Sequence, residues 1–157
     1  MAKINWFKLI AAIIICQLIG FIGSIFTTQS VNSWYLTINK PAFTPPGWVI
    51  GGVWTMLFIL MGVALYLVWN KKTKNNKKAL IIFGCQLILN ILWSVFFFFL
   101  HSPLAALVEI FILWFFILLT IIYFAKISKS AAYLLIPYIL WVSFASFLNY
   151  SVYIINK

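Results

Sequence analysis

Five long apolar runs divide this 157-residue chain and constrain its fold more than any other feature. Each run has about 20 residues or more, enough to cross roughly 30 Å of hydrocarbon at about 1.5 Å per residue. Lipid offers no hydrogen-bond partners to an open backbone, so the runs should be helical. The predicted fold is an all-α integral membrane protein, a single bundle of five transmembrane helices. The predicted spans are residues 6–26, 46–69, 79–100, 103–124 and 131–155.

The composition agrees with a membrane protein and excludes other classes. Hydrophobic residues make up 66% of the chain and only one residue is acidic, whereas soluble domains are roughly half apolar and about a quarter charged. The net charge of +10 does not indicate nucleic-acid binding, because the lysines lie at the ends of the apolar runs rather than on one face. Cys16 and Cys85 lie within apolar runs and indicate neither a disulfide nor a metal site.

The lysines predict an orientation for the five spans. The N-terminus and the second and fourth connections share one side, which holds nine lysines. The other side holds two, Lys40 and Lys157. An excess of basic residues marks the cytoplasmic side of a membrane protein. We therefore expect a multi-pass protein with a cytoplasmic N-terminus and its C-terminus outside.

The first connection, residues 27–45, leads into a stretch rich in proline and tryptophan. Residues 34–54 hold three of the eight tryptophans and three of the five prolines. Proline fixes φ and lacks an N–H, so we expect residues 41–46 to be extended and Pro46 to lie in the first turn of the second span. Such a stiff connection is typical of a lid over a cavity. For any single tryptophan here, an interfacial aromatic belt is the simpler interpretation.

Polar and indole side chains gather at similar depths below this connection. Counting about 1.5 Å per residue from the outer helix ends places Trp54, Asn90 and Trp93 roughly 10 to 15 Å deep. Further polar side chains fall in the same outer half: Gln17, Glu109 and Asn149. Polar groups within a membrane usually face the bundle interior or a cavity. We therefore predict one pocket, covered by residues 27–45.

Each polar group in this layer also has a purely structural interpretation. Asn90 and Asn149 can bridge helices, an interaction of about 0.6 kcal/mol, as readily as they contact a ligand. Glu109 is either functional or a carboxyl group hydrogen-bonded between helices. The sequence leaves these alternatives open.

A conventional catalytic site is not indicated. The single acid and the single histidine, His101, provide neither a carboxylate pair nor a metal-binding cluster, and no cofactor is predicted. His101 lies between the third and fourth spans and is more typical of a solvated turn residue than of a haem ligand. The indoles of Trp54, Trp93 and Trp141 gain little from burial between helices in lipid. They suit stacking on a flat aromatic molecule, with their N–H groups left to orient it.

Two spans carry packing signals. The first span has Ala12, Cys16, Gly20 and Ser24 at four-residue spacing. A stripe of small residues lets a second helix approach closely, either within the chain or in a dimer. Pro137 predicts a kink near the start of the fifth span.

Three motifs occur in order along the chain: WYLTINKPAFTPPGW at 34–48, LNILWSVFF at 89–97 and LLIPYILWVSFASFLNY at 134–150. Together with the five spans, they resemble the translocator protein family, also called tryptophan-rich sensory proteins or peripheral-type benzodiazepine receptors. The resemblance covers nearly the whole chain. The basic residues are all lysines and the termini are short, which is similar to bacterial members of the family. This resemblance implies that the protein lies in a bacterial cell membrane.

The resemblance implies a homodimeric receptor for tetrapyrroles such as protoporphyrin IX. It also implies binding of hydrophobic drug-like molecules of the isoquinoline carboxamide and benzodiazepine types. Light-dependent oxidative degradation of porphyrin is a further implied activity, with Trp54 and Trp141 as the indoles involved. Trp141 lies deeper than the others, at about 21 Å. By motif, the ligand-binding residues would be Tyr35, Pro45, Ile50, Trp54, Phe58, Asn90, Trp93, Trp141, Ala145 and Leu148.

Two other functions remain open at the level of sequence. The chain could transport porphyrin-like molecules across the membrane, although five spans do not fit the inverted-repeat plan of many transporters. It could instead be a ligand-sensing scaffold subunit whose ligand alters partner binding. In each case the immediate surroundings are membrane lipid.

Overall fold

The computed structural model describes residues 4–71, 73–74 and 76–157. Within these residues, five helical segments are long and apolar enough to cross a membrane. The predicted all-α, five-span architecture is thereby confirmed. The spans are Trp6–Val31, Gly47–Trp69, Asn76–Phe99, Pro103–Ala125 and Lys129–Ile155.

Two of these spans are interrupted, so the helices are numbered individually. They are α1 (Trp6–Val31), α2 (Trp34–Thr37), α3 (Gly47–Trp69), α4 (Asn76–Ser94), α5 (Pro103–Ala125), α6 (Lys129–Leu134) and α7 (Ile136–Ile155). The third span ends in a π-helical turn, Val95–Phe99. Because a π-turn is wider than an α-turn, the neighbouring Phe97 and Phe98 both become buried.

The first span is longer than the sequence suggests, because α1 continues past residue 26 to Val31. The added turn contains hydroxyl side chains that bond back to the helix. Thr27 Oγ1 donates to the Gly23 carbonyl at 3.3 Å and Thr28 Oγ1 to the Ile25 carbonyl at 3.1 Å. Hydroxyl groups satisfied in this way can remain in a helix. The expected loop boundary was therefore wrong by more than a turn.

The connection between the first two spans is shorter than expected and partly helical. It contains α2 and then a turn in which the Thr44 N–H donates to the Pro41 carbonyl at 3.1 Å. Residues 41–46 are not helical, as predicted, but the turn at residues 42–43 interrupts the extended backbone that we expected. Pro46 is the N-cap residue of α3, one position before the first turn in which we expected it.

The stripe of small residues on α1 serves packing within the chain. Ala12 and Cys16 are fully buried, and Gly20 lies against the ring of Phe58 on α3. A Cβ added at Gly20 would lie 2.5 Å from that ring. Gly62 gives α3 a second close approach, where an added Cβ would lie 2.5 Å from the Ile13 Cα. These contacts hold α1 and α3 together along much of their length.

The fifth span is interrupted at Leu135, two residues before Pro137, where the sequence predicts a kink. Proline cannot donate to the preceding helical turn, so α6 ends and α7 begins as a new helix. α6 packs against both α3 and α5, whereas α7 packs mainly against α5. The two halves of this span therefore close the bundle at one end and leave space beside α3 at the other.

The two ends of the bundle differ in charge. The end that carries the start of α1 and the α3–α4 connection is rich in lysine, and we call it the basic end. Its described lysines are Lys8, Lys71, Lys74, Lys77, Lys78, Lys126 and Lys129. The opposite end, which carries α2, Lys40 and Lys157, is called the lid end.

Candidate functional site

A cavity of about 870 Å³ lies near the lid end, between α1, α3, α4, α5 and α7. This is the upper part of the size range typical of small-molecule sites. All ten predicted ligand-binding residues line it: Tyr35, Pro45, Ile50, Trp54, Phe58, Asn90, Trp93, Trp141, Ala145 and Leu148. The lining is mostly apolar, with a small number of amide, hydroxyl and ammonium groups.

Three indoles from three helices form part of the cavity wall. Trp54 stacks on Phe58 with ring centroids 5.7 Å apart. Trp93 stacks on Phe97 at 5.2 Å. Trp141 is tilted against a neighbouring ring on α7. Aromatic rings held by such contacts present fixed flat surfaces to a ligand.

The indole N–H groups are not equally available, which corrects the expectation that all three are left for a ligand. Trp93 Nε1 donates to Asn149 Oδ1 at 3.0 Å, so its N–H is already used. Trp141 Nε1 is buried and has no hydrogen-bond partner within the described part of the chain. A buried N–H without a partner carries a free-energy cost of about 1–3 kcal/mol. A ligand acceptor placed near Trp141 would remove that cost.

A buried hydrogen-bonded cluster lies on the side of the cavity toward the basic end. Asn90 Nδ2 donates to the Tyr138 hydroxyl at 2.9 Å, and this hydroxyl donates to Gln86 Oε1 at 2.8 Å. The Gln86 amide in turn reaches Met61 Sδ at 3.9 Å. Asn90 thus has a helix-bridging role and also contacts the cavity. Of these residues only Asn90 lines the cavity, and the others are buried behind it; we call the cluster Met61–Gln86–Asn90–Tyr138 the cavity floor.

Glu109 does not line the cavity, which corrects the expectation from its depth. Its side chain is only 4% exposed, and neither carboxyl oxygen has a hydrogen-bond partner among the described residues. The alternative interpretation, a carboxyl hydrogen-bonded between helices, is therefore not what the structure shows either. Counting residues gave the depth of Glu109 in the membrane but not the direction in which its side chain points.

The connection at the lid end covers the cavity through Tyr35, Lys40, Pro41, Thr44 and Pro45. The phenol of Tyr35 is half-buried, and this burial raises its pKa above the ordinary value, so the phenol is neutral at pH 7. Trp48, by contrast, is 81% exposed and lies outside the cavity lining. Its position fits the aromatic-belt interpretation.

Two contacts fasten this connection to the bundle. The Trp34 ring stacks on His101 at 4.5 Å, and Ser30 Oγ lies 2.9 Å from His101 Nε2. His101 is an exposed turn residue with φ of 52°, as expected, and its ring also packs on Trp34. Asn39 and Asn156 form a reciprocal pair, in which the Asn39 N–H donates to Asn156 Oδ1 at 2.9 Å and Asn156 Nδ2 donates to the Asn39 carbonyl at 2.8 Å.

Several lining residues were missed by sequence reasoning. Thr27, Thr28 and Val31 belong to the last turn of α1, which the composition suggested was a loop. Phe98 reaches the cavity through the π-helical turn. The repeated hydroxyl residues after Phe26 were a usable signal, because threonine and serine can cap their own helix within a membrane.

An apolar cavity with three indoles, enclosed by five membrane-spanning segments, defines a multi-pass membrane protein of the receptor or sensor class. The model of the TspO/MBR family matches residues 12–154, and the chain belongs to this family. It is 47% identical to the tryptophan-rich protein TspO of Archaeoglobus fulgidus over 152 residues, covering 97% of this chain and 99% of the relative.

Other relatives extend this similarity to bacteria and animals. The tryptophan-rich protein TspO of Chlorobaculum tepidum is 46% identical over 144 residues, covering 90% of this chain and 91% of the relative. The human translocator protein is 36% identical over 136 residues, covering 85% of this chain and 80% of the relative. The recognition made from the three motifs is thereby confirmed.

Proposed function

We propose that this protein is a membrane receptor that binds tetrapyrroles such as protoporphyrin IX in the cavity. The same cavity would accept isoquinoline carboxamide and benzodiazepine-type molecules. The observation that carries the proposal is the meeting of Trp54, Trp93 and Trp141 around one apolar space of about 870 Å³. Flat aromatic ligands gain from stacking on such rings, whereas aliphatic ligands of the same size do not.

We further propose that bound porphyrin is degraded oxidatively in light, with Trp54 and Trp141 as the reactive indoles. Dissolved dioxygen would be the oxidant and the porphyrin would be oxidised. The ring of Trp54 stacks on Phe58, and the buried N–H of Trp141 has no hydrogen-bond partner among the described residues. Trp93 is tied to Asn149 and is assigned a binding role only.

The test separates binding from chemistry. Tryptophan-fluorescence quenching by protoporphyrin IX is measured in the dark, and loss of porphyrin absorbance is then followed under light, with and without dioxygen. The double variant Trp54→Phe/Trp141→Phe should still bind porphyrin but lose light-driven degradation. Trp48→Phe, at an exposed position outside the cavity, is the matched control and should degrade porphyrin at the original rate. Undiminished degradation by the double variant would refute the reactive role of the two indoles.

Transport of porphyrin-like molecules is the second candidate, since relatives carry the name translocator protein. The cavity floor does not fit a permanently open pore, because Met61, Gln86 and Tyr138 are buried there. Gln86 is hydrogen-bonded to both Met61 and Tyr138. Transport would therefore need the floor to open. Porphyrin flux into sealed vesicles that requires the protein and persists in the dark would favour transport over degradation.

We also propose a bacterial cell-membrane location, a cytoplasmic basic end and a homodimer. The surplus of lysines at the basic end supports this orientation. The outer face of α1, with Trp6, Phe7 and Ile14 exposed, suits contact with lipid or with a second copy. Reporter fusions at each terminus test the orientation, and chemical crosslinking within native membranes tests the dimer.

A further inference from the structure

Lys40 is the one charged side chain among the described residues that line the cavity. It lies at the lid end and is half-buried. Its Nζ donates to the Tyr35 carbonyl at 2.7 Å and to the Ile38 carbonyl at 3.2 Å. The same ammonium lies 4.6 Å from the centroid of the Tyr35 ring. These contacts fix the cation at the upper wall of the cavity.

The positive charge of Lys40 has no negative counterpart in the cavity lining. The single acid of the sequence, Glu109, does not line the cavity. Carbonyl oxygens and an aromatic face solvate an ammonium but do not neutralise it. An ammonium group has three N–H donors, and the two carbonyl bonds leave one of them for a further partner. A partly desolvated cation with a free donor attracts an anion more strongly than a cation in water does.

We propose that Lys40 selects ligands that carry a carboxylate at the edge facing the lid end. This inference rests on the proposed function, since it describes how a flat aromatic ligand is oriented in the same cavity. The ligand's rings would stack among the indoles while its carboxylate pairs with Lys40. An otherwise identical neutral molecule would lose the charge-assisted hydrogen bond and bind more weakly.

A purely structural role for Lys40 makes a different prediction. The two carbonyl bonds of Lys40 lie within the connection itself and brace the end of α2. If bracing were its only role, removing the ammonium would weaken all ligands equally. Selection by charge would weaken only those ligands that carry the carboxylate.

The experiment compares protoporphyrin IX with its dimethyl ester, which has the same ring system but no carboxylate. Both are titrated in the dark by tryptophan quenching, using full-length protein in nanodiscs of zwitterionic phosphatidylcholine. The proteins are the parent, Lys40→Met, Lys40→Arg and the control Lys157→Met, which removes a lysine at the same end outside the cavity lining.

We expect Lys40→Met to weaken binding of the diacid about tenfold, which corresponds to the loss of one hydrogen bond to a charged group. Binding of the ester should be unchanged. Lys40→Arg should restore most of the preference, and Lys157→Met should keep all of it. Equal weakening of diacid and ester by Lys40→Met would overturn the proposal in favour of bracing. Unchanged binding of both would overturn it as well. If neither porphyrin binds the parent protein, the proposed function itself fails. If the parent protein binds both porphyrins equally well, only the proposed role of Lys40 fails.

Discussion

The indole N–H of Trp93 on α4 donates to the side-chain oxygen of Asn149 on α7 at 3.0 Å. The amide nitrogen of Asn149 in turn donates to the Pro103 carbonyl at the start of α5, at 2.8 Å. Three helices are thus joined by one asparagine that also lines the cavity. The wall of the cavity is therefore held by polar bonds as well as by apolar packing.

Trp93→Phe should lower thermal stability while leaving the shape of the cavity largely intact. Phenylalanine keeps an aromatic ring beside Phe97 but leaves the buried Asn149 oxygen without its donor, at a cost of about 1–3 kcal/mol. Melting in nanodiscs followed by circular dichroism measures the effect. Trp48→Phe, at an exposed position, should melt with the parent protein. Equal melting of the two variants would show that the bond contributes nothing.

Tyr138→Phe should destabilise the cavity floor. The hydroxyl of Tyr138 serves both Asn90 and Gln86, so its removal leaves two buried amides short of a partner. The free energy of unfolding should fall by about 1–3 kcal/mol. Titration with sodium dodecyl sulfate measures this, and Tyr150→Phe at a half-exposed position is the control. A fall no larger than that of the control would contradict the assigned role of the hydroxyl.

Gly62→Ala and Gly84→Ala should change stability in opposite directions. An added methyl at Gly62 would lie 2.5 Å from the Ile13 Cα, which is backbone and cannot easily give way. Overpacking of this kind costs about 1–3 kcal/mol. A Cβ added at Gly84 would meet no atom of another segment within 4 Å, so alanine should stabilise α4 by roughly 0.5–1 kcal/mol through its higher helix propensity. The same detergent titration checks both, and unchanged or increased stability of Gly62→Ala would contradict the close approach of α1 and α3.

Asn156→Ala should loosen the connection over the cavity, whereas Asn39→Ala should not. The reciprocal pair uses the side chain of Asn156 but only the backbone of Asn39. Hydrogen exchange at the backbone amide of residue 39 should therefore become faster in the first variant alone. Equal exchange in the two variants would mean that the pair does not hold the connection in place.

The five spans could be anticipated from apolar length, whereas the ten predicted cavity residues came as a set from the motifs that resemble the family. Apolar length defines a span, and residue counting defines depth within it. Trp54 and Asn90 lie on different helices at matching depths, and the structure brings both to the cavity. Their binding of a ligand remains a prediction.

Other features depend on information that a single segment does not contain. The direction in which Glu109 points is set by the rotation of α5 against its neighbours, so depth alone placed it wrongly. The bond between Trp93 and Asn149 joins residues on separate helices, and only tertiary packing brings them together. The end of α1 was missed because threonine and glutamine resemble loop residues when their backbone partners are unknown.

The pairing of Asn39 with Asn156 has a practical consequence for recombinant work. Asn156 is the residue that caps the end of α7. An affinity tag or fluorescent protein fused after Lys157 would begin one residue from a side chain that anchors the cover of the cavity. Fusions for ligand-uptake assays are better placed before the first helix, at the far end of the bundle.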